Sequence, residues 1–289
     1  MPKGVPSAGF RLTRNRINNI LNVNPIHSVP VEPVVHETDE QIERKLSERF
    51  SILETLTSSV IDGNSRALIV SGPPGLGKSF TVEKMLTEYD PENINHTIIK
   101  GFVRATGLYK ALYQYQNEGQ VIVFDDADSI FFDDNTLSLL KAVCDTTEVR
   151  KVSWLSETNM IDDNSGENLP RSFEFKGTII FISNYDFDDM IDRGHKIAPH
   201  LSALISRAHY IDLAMKNRRD YIVRIKQVIN QGMLSDMTLE GREAVIEFIE
   251  TNSNKLRELS LRVAIKIAQL YKSNPNNWEK IARLTCCKN

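Results

Sequence analysis

The sequence has few cysteines and no long apolar run, and each shortage argues against a class of protein. Its 289 residues include only three cysteines, Cys144, Cys286 and Cys287, and no CxxC pair or Cys/His cluster. This small, odd set argues against a disulfide framework or a zinc site and favours reduced thiols. No apolar run approaches the roughly 18 to 20 residues that span a bilayer, and the first residues lack the apolar part of a signal peptide. We therefore expect a cytoplasmic protein with no membrane partner.

The sequence also has little excess charge. Its net charge is −3, so no overall field directs the protein to nucleic acid or to anionic membrane. Residues 1–22 differ, because they contain no acid but four basic residues, Lys3, Arg11, Arg14 and Arg16. This stretch could be a flexible arm that touches a phosphate backbone or an acidic partner, or a solvated tail. The proline-rich residues that follow it, up to 37, predict an extended connector.

One stretch has the composition of a phosphate-binding loop. Residues 71–79 read Ser-Gly-Pro-Pro-Gly-Leu-Gly-Lys-Ser, after an apolar run at 67–70 and before a helix-like stretch at 80–89. This spacing fits the Walker A pattern, in which glycines let backbone N–H groups turn towards phosphate oxygens. The alternative is an ordinary Gly-rich turn, but the setting between a strand and a helix favours a phosphate site.

Each residue of this loop has an expected part in binding. Lys78 would reach the outer phosphates, and the Ser79 hydroxyl would bind Mg²⁺. The helix that begins here adds its positive end to the same anion site. We therefore predict a site for Mg²⁺ and a nucleoside triphosphate, taken to be ATP, formed by Gly72, Pro73, Pro74, Gly75, Leu76, Gly77, Lys78, Ser79 and Phe80.

A second apolar run ends in two acidic residues. Val121 to Phe124 predict a buried strand, and Asp125 and Asp126 follow at its carboxyl end, where ligands bind in open α/β sheets. We expect Asp125 to hold the metal, directly or through water, and Asp126 to orient or deprotonate the attacking water. Such a junction is common by itself, and its place after the phosphate loop gives it significance.

Together these motifs resemble those of the AAA+ ATPases, and the resemblance extends from about residue 40 into the C-terminal region. In its single-module organisation the chain looks like the AAA+ ATPases of phage genomes. The family usually has Asp-Glu where this chain has Asp125-Asp126, so the shorter second carboxylate leaves the hydrolysis rate open. An Asp-Asp pair also occurs in the related superfamily 3 helicases.

The resemblance implies three further site residues. Asn184, directly after the apolar run 177–183, matches the polar residue called sensor 1, which positions the attacking water. Arg207 follows a serine and matches the arginine finger, which acts in trans in the site of a neighbouring subunit. Arg262, in Leu-Ser-Leu-Arg, matches sensor 2, which couples a helical lid to the nucleotide. The structural alternatives are a turn residue, a surface salt bridge and a solvated helix face.

A predicted hairpin lies between the acidic pair and Asn184. Residues 148–155 and 171–176 alternate as strands and flank a polar loop at 159–169. In superfamily 3 helicases a hairpin at this place contacts DNA, and Arg150, Lys151 and Arg171 could have that role here. Acidic residues in the loop oppose it, and a surface excursion of an edge strand is the alternative.

The predicted fold is α/β, an AAA+ P-loop core whose parallel sheet is covered by helices on both faces, followed by a small α-helical lid. The predicted domains are a basic arm and connector at 1–37, the core at 38–214 with the hairpin insertion at about 147–176, and the lid at 215–289. In the lid, we assign Leu256 to Leu270 to a third helix whose polar face holds Glu258, Arg262, Lys266 and Gln269.

We expect Mg-dependent ATP hydrolysis by a homo-oligomer, a ring or partial ring of hexameric type, that acts on DNA as a helicase, loader or packaging motor. A protein-remodelling ATPase is a second possibility, and it would need an aromatic pore loop, to which Gly101-Phe102-Val103 comes nearest. An ATP-binding switch with little turnover and a P-loop kinase also fit a phosphate-binding loop.

Overall fold

The computed structural model describes residues 37–156, 160–162, 166–215 and 217–288. Asp39–Asn289 forms one compact unit and Met1–Thr38 a second, of which only residues 37 and 38 are described. The predicted basic arm and nearly all of the connector therefore lie outside the described residues.

The described chain alternates helices and strands before it becomes wholly helical. The elements are α1 (Asp39–Ile61), β1 (Ala67–Ser71), α2 (Lys78–Tyr89), β2 (His96–Lys100), α3 (Ala105–Gln114), β3 (Val121–Asp125), a 3₁₀ turn (Asp128–Phe131), α4 (Asp134–Val143), β4 (Lys151–Ser153), β5 (Ser172–Glu174), β6 (Thr178–Ile182), α5 (Phe187–Asp192), α6 (Ala198–Ile205), β7 (His209–Asp212), α7 (Arg218–Val228), a π-helical turn (Ile229–Met233), α8 (Leu239–Thr251), α9 (Leu261–Ser273) and α10 (Trp278–Cys286). None of the described helices is long and apolar enough to cross a membrane.

Five of the strands form one parallel sheet in the order β2-β3-β6-β1-β7. Successive residues of β1 point to opposite faces, so Ile69 packs with α3, α4 and the hairpin while Leu68 and Val70 pack with α1 and α2. Helices cover both faces, as the near-continuous apolar strands predicted. The α/β class and the covered parallel sheet are confirmed.

The C-terminal helices α7 to α10 enclose a separate apolar cluster that includes Val245, Phe248, Ala264, Ile267 and Ala282. We call these helices the lid. One detail of its prediction is wrong: α9 begins at Leu261 and not near Leu256, because the Ser260 side chain caps it by accepting a hydrogen bond from the Val263 N–H. Glu258 therefore lies before the helix and does not share its polar face with Arg262.

The predicted hairpin is formed by β4 and β5, which pair antiparallel with Lys151 opposite Glu174. Arg150, at its base, is not available to DNA, because only 7% of its surface is exposed. Its guanidinium donates to the carbonyls of Val143 and Gly177, at 2.9 Å each, and stacks on the ring of Phe175. Arg150 thus satisfies the end of α4 and fastens the hairpin to β6. Lys151 and Arg171 are exposed.

Candidate functional site

The strand order places the predicted site residues at one edge of the sheet. β1, β6 and β3 are adjacent and parallel, so their carboxyl ends meet. Asp125 at the end of β3 pairs with Ile182 of β6, and Asn184 follows two residues later. The phosphate loop, residues 72–77, leaves the end of β1 between these strands and α2. This register explains why acidic, amide and ammonium groups from distant parts of the chain lie together.

Three glycines give the phosphate loop its shape. Gly72, Gly75 and Gly77 have φ angles of +141°, +74° and +100°, a region that side chains strongly disfavour. At Gly75 a Cβ would also lie 2.6 Å from the Cβ of Ser260 in the lid. Of the other predicted loop residues, Leu76 is buried in the core, whereas the side chain of Phe80 is 71% exposed. The backbone of Phe80 lies in the first turn of α2, where N–H groups bind anions.

Lys78 is the buried cation at the mouth of this loop, with 4% of its surface exposed. Its Nζ donates to the carbonyl oxygens of Gly72 and Pro73, at 2.5 and 2.9 Å, and to Asn184 Oδ1 at 3.0 Å. Burial disfavours the charged form and lowers the pKa of Lys78 to about 8, although Asp126 and Asp125 oppose that shift. An ammonium held in this way is ready to exchange carbonyl partners for an anion.

The two carboxylates of the acidic pair have different surroundings. Asp125 is buried, and its Oδ1 accepts a hydrogen bond of 2.8 Å from the Ser79 hydroxyl. Asp126 is exposed and has a left-handed backbone with φ of +52°, which an aspartate tolerates better than most residues. Its Oδ1 accepts a hydrogen bond of 2.6 Å from the Asn184 side chain. Asn184 therefore connects the Asp126 carboxylate with the Lys78 ammonium.

The lid reaches this site through the first turn of α9. The Leu261 N–H donates to the Gly75 carbonyl at 2.8 Å. Arg262 is the next residue, is exposed, and lies close enough for its charge to lower the pKa of Lys78. A third lid residue, Arg224, stacks 3.5 Å above the Phe50 ring and is 3.5 Å from the Leu76 carbonyl oxygen. Arg224 was not among the predicted site residues, because its helical pattern alone does not distinguish it from a solvated arginine.

Arg207 is the one predicted site residue that lies elsewhere. It precedes β7, whose first residue, His209, pairs with Leu68, whereas Ser71 beside the phosphate loop pairs with Asp212. At about 3.3 Å per residue, Arg207 lies roughly 15 Å from the site, at the amino ends of the strands. Its Nη1 donates to the Ala203 carbonyl at 2.6 Å, and its Nε is 3.9 Å from the Asp145 carboxylate. The side chain is 34% exposed, so its end is accessible to another molecule.

Two further residues at the site were not predicted either, Lys100 and Glu83. Lys100 Nζ lies 3.1 Å from Asp125 Oδ2 and 2.5 Å from Glu83 Oε1, and these carboxylates raise the pKa of Lys100. Lys100 ends β2 and pairs in register with Asp125. The signal that could have identified it is the strand order, which a single sequence does not provide.

The chemistry of these donors fits a magnesium triphosphate. Ser79 and Asp125 offer two hard oxygens side by side, which is the protein share usual for Mg²⁺ bound with phosphates and water. Within the described residues no three His, Cys, Asp or Glu side chains form a metal cluster. Lys78, Arg262 and the glycine N–H groups supply the complementary positive field.

The lowered pKa of Lys78 predicts opposite pH effects on nucleotide affinity and on stability. The affinity of the unliganded protein for ATP should fall as pH rises through about 8, by up to about tenfold per pH unit, because the ammonium is lost. Stability without nucleotide should instead rise between about pH 8 and pH 10.5, where only the unfolded chain keeps the proton. Binding of a fluorescent ATP analogue and thermal melts, both across this pH range, measure these effects.

Lys78→Arg is the matched control, since its guanidinium stays charged throughout this range. Its affinity, although weaker, should not fall above pH 8. A parent affinity that is constant from pH 7 to 9.5 would show that the Lys78 charge has no part in binding.

Comparisons with known proteins give a family and a relative. The model for the "ATPase family associated with various cellular activities (AAA)" matches residues 68–183. The chain is 37% identical over 252 residues to the "Uncharacterized 36.7 kDa protein in nrdC-mobD intergenic region" of Enterobacteria phage T4, across 86% of this chain and 76% of that protein.

Solved structures with a similar arrangement are more distant in sequence. A RuvB mutant from Thermotoga maritima is 14% identical with a TM-score of 0.49, over 86% of this chain and 72% of that one. NtrX from Brucella abortus in complex with ATP is 13% identical with a TM-score of 0.39, over 95% of this chain and 67% of that one.

Proposed function

Because the chain belongs to the AAA family of ATPases, which bind and hydrolyse ATP, we propose how its own residues carry out that reaction. The observation that carries the proposal is the position of Asn184 between Lys78 and Asp126. One side chain there connects the phosphate-binding cation with the exposed carboxylate. A group that attacks phosphorus has to be held between the same two charges.

Each residue has a separate part in the proposed reaction. Glycines 72, 75 and 77 with Lys78 would bind the phosphates. Ser79 and Asp125 would hold Mg²⁺, which would neutralise charge on the phosphate oxygens. Asp126 accepts a proton from the attacking water, and Asn184 keeps the carboxylate in position. Arg262 couples the lid to the bound nucleotide.

The proposed oligomer follows from the position of Arg207. Its side chain is 34% exposed at the amino ends of the strands, far from its own phosphate loop, and this supports a role in the site of another subunit. Each subunit would then present one end of its strands to one neighbour and the other end to the next. This is a head-to-tail arrangement, which forms a ring when the rotation between subunits closes. We propose a homo-oligomeric ring or partial ring, hexameric as the family resemblance implies.

For the substrate we propose an extended polypeptide that the loop 101–104 binds. This loop follows β2 at the edge that holds the nucleotide site, and the Phe102 ring is 75% exposed with the Arg104 guanidinium 5.7 Å from its centre. The Val103 N–H donates to Ser129 Oγ at 3.1 Å, which ties the loop to the turn after the acidic pair. The hairpin is a poor DNA contact, because residues 152–170 contain acids but no lysine or arginine.

DNA remains the second candidate, and a specific observation favours it. Lys151 and Arg171 are exposed on the hairpin stem, and the Arg104 guanidinium lies over the Phe102 ring. An aromatic ring among basic side chains is also a platform on which unpaired bases stack. This is the DNA-handling role first expected from the sequence.

The two candidates differ in how binding responds to salt and to Phe102. We expect a fluorescently labelled unfolded polypeptide to bind in the presence of ATP, and Phe102→Ala to weaken it about tenfold, the effect of about 1.4 kcal/mol of lost apolar contact. Leu239→Ala in the lid, at a residue 71% exposed, removes comparable exposed apolar surface and should change nothing.

Labelled single-stranded DNA is measured beside the polypeptide. Tight binding to DNA that weakens steeply with salt, with no binding of polypeptide, would overturn the first candidate and support the second.

A further inference from the structure

The Asp125 carboxylate already has a cation of the protein's own beside it. Its Oδ1 accepts from the Ser79 hydroxyl at 2.8 Å, and its Oδ2 lies 3.1 Å from the Lys100 ammonium. Only 3% of Asp125 is exposed, so water can do little to solvate its charge. A buried carboxylate without a partner is strongly unfavourable, and Lys100 supplies that partner. The register of β2 and β3 brings this pair together, because Lys100 and Asp125 lie side by side on the two strands.

Lys100 also has a second carboxylate. Its Nζ lies 2.5 Å from Glu83 Oε1, on the second turn of α2. The Lys100 side chain is 57% exposed and the Glu83 side chain 39%, so the ammonium has room to move between its partners. Asp125 is buried and accepts a hydrogen bond from Ser79. Glu83 is partly exposed, so water can solvate its carboxylate when it loses the contact with Lys100. The two acceptors are therefore unequal, and only one of them is a metal ligand.

We propose that Lys100 is an internal counter-cation that Mg²⁺ must displace from Asp125. The displaced Lys100 ammonium then stays paired with Glu83. This rests on the metal site of the proposed function. Mg²⁺ binds carboxylate oxygens at about 2.0–2.1 Å, so an ion on the Asp125 oxygen beside Ser79 would share this one negative charge with the ammonium at Oδ2. Two adjacent cations would also repel one another at this distance.

The arrangement determines how strongly nucleotide binding depends on metal. While Lys100 neutralises Asp125, the phosphates of a metal-free nucleotide do not meet an uncompensated charge on Asp125. When Mg²⁺ is present, the ion has to compete with Lys100 for Asp125, which raises the concentration of free metal that is needed. Glu83 reduces that competition, because it offers the ammonium a second partner. Lys100 and Glu83 are thus positioning residues with opposite effects on the same equilibrium.

Two charge-removing variants test this proposal through equilibrium binding and not through turnover. The measurement is the affinity of a fluorescent, non-hydrolysable ATP analogue as free Mg²⁺ is raised from zero, and the readout is the Mg²⁺ concentration at the midpoint of the change. We expect Lys100→Gln to lower this midpoint about three- to tenfold, since the competing cation is absent. We expect Glu83→Gln to raise it by a similar factor, since the ammonium then has Asp125 as its remaining carboxylate.

The matched control is Lys84→Gln. It removes the same charge from the residue next to Glu83, and Lys84 forms an exposed pair with Glu88 at 3.9 Å. Its midpoint should equal that of the parent, so a general loss of positive charge is distinguished from the loss of Lys100. Lys100→Arg, which keeps a cation there, should keep the midpoint within about twofold.

The outcomes separate this inference from the metal site on which it rests. Midpoints that move in the same direction in both variants, or in neither while the parent responds to Mg²⁺, overturn the role of Lys100 and leave the site of Ser79 and Asp125 intact. A parent whose nucleotide affinity does not respond to Mg²⁺ overturns the metal site itself and the inference with it. All four variants alter exposed side chains, and thermal melts verify that each one is folded.

Discussion

A mixture of Arg207→Ala and Asp126→Asn subunits is expected to hydrolyse ATP, although each variant alone is almost inactive. Arg207→Ala should lower turnover about a thousandfold, the usual effect of removing an arginine finger, while nucleotide still binds. Arg207 lies at the amino ends of the strands, away from its own phosphate loop, so in the proposed oligomer the finger and the acid of one working site would come from different subunits. In an equal random mixture about a quarter of the interfaces combine an intact Asp126 with an intact Arg207.

Steady-state turnover per chain, measured over mixing ratios, should therefore recover to about a quarter of the parent value. Arg193→Ala is the matched control, because Arg193 is an exposed arginine that directly follows α5 and pairs with Asp189 of that helix. It should leave turnover unchanged. Mixed oligomers with no activity, in samples where a tag on one variant captures the other, would show that Arg207 does not act in trans.

The second large effect is expected at Asp126 itself. Asp126→Asn should lower turnover about a hundredfold to ten-thousandfold, because the amide cannot accept a proton from water. Nucleotide affinity should change little, since Asn at this position is the same size and its Oδ1 can still accept from the Asn184 amide. Single-turnover hydrolysis together with equilibrium binding of ATP separates the two quantities.

Asp134→Asn, an exposed carboxylate in the first turn of α4, is the control and should behave as the parent does. A parent that already hydrolyses ATP as slowly as Asp126→Asn would identify a nucleotide switch. The short Asp126 side chain, in place of the glutamate that the family usually has, would then be the reason.

The sequence predicted those parts of the site that are formed by residues close together in the chain. The glycine spacing of the phosphate loop, the acidic pair after a buried strand and the strand before Asn184 are all contiguous in sequence, and the structure places them at one sheet edge. Lys100 could not be identified in the same way. Its partner Asp125 is distant in the chain, and only the pairing of β2 with β3 brings the two together.

Arg150 shows the opposite kind of error. It lies in a strand-like stretch with alternating polar residues, where an arginine is ordinarily solvated. Its guanidinium instead points inward to the Val143 and Gly177 carbonyls. Those acceptors exist only because α4 ends and β6 begins beside the hairpin, and no local sequence pattern reports that. The start of α9 was misplaced for a related reason, because Leu256 and Leu259 are buried without being helical.

The bond between the Leu261 N–H and the Gly75 carbonyl joins lid and core through main-chain atoms alone. Such a bond places no demand on the side chain at position 261. Its demand falls on position 75, where any Cβ would collide with Ser260. Substitutions of exposed lid side chains therefore leave this bond in place, whereas a single methyl group at Gly75 would force Ser260 to shift. The link between lid and core thus depends on the main chain and on the absence of a side chain at Gly75.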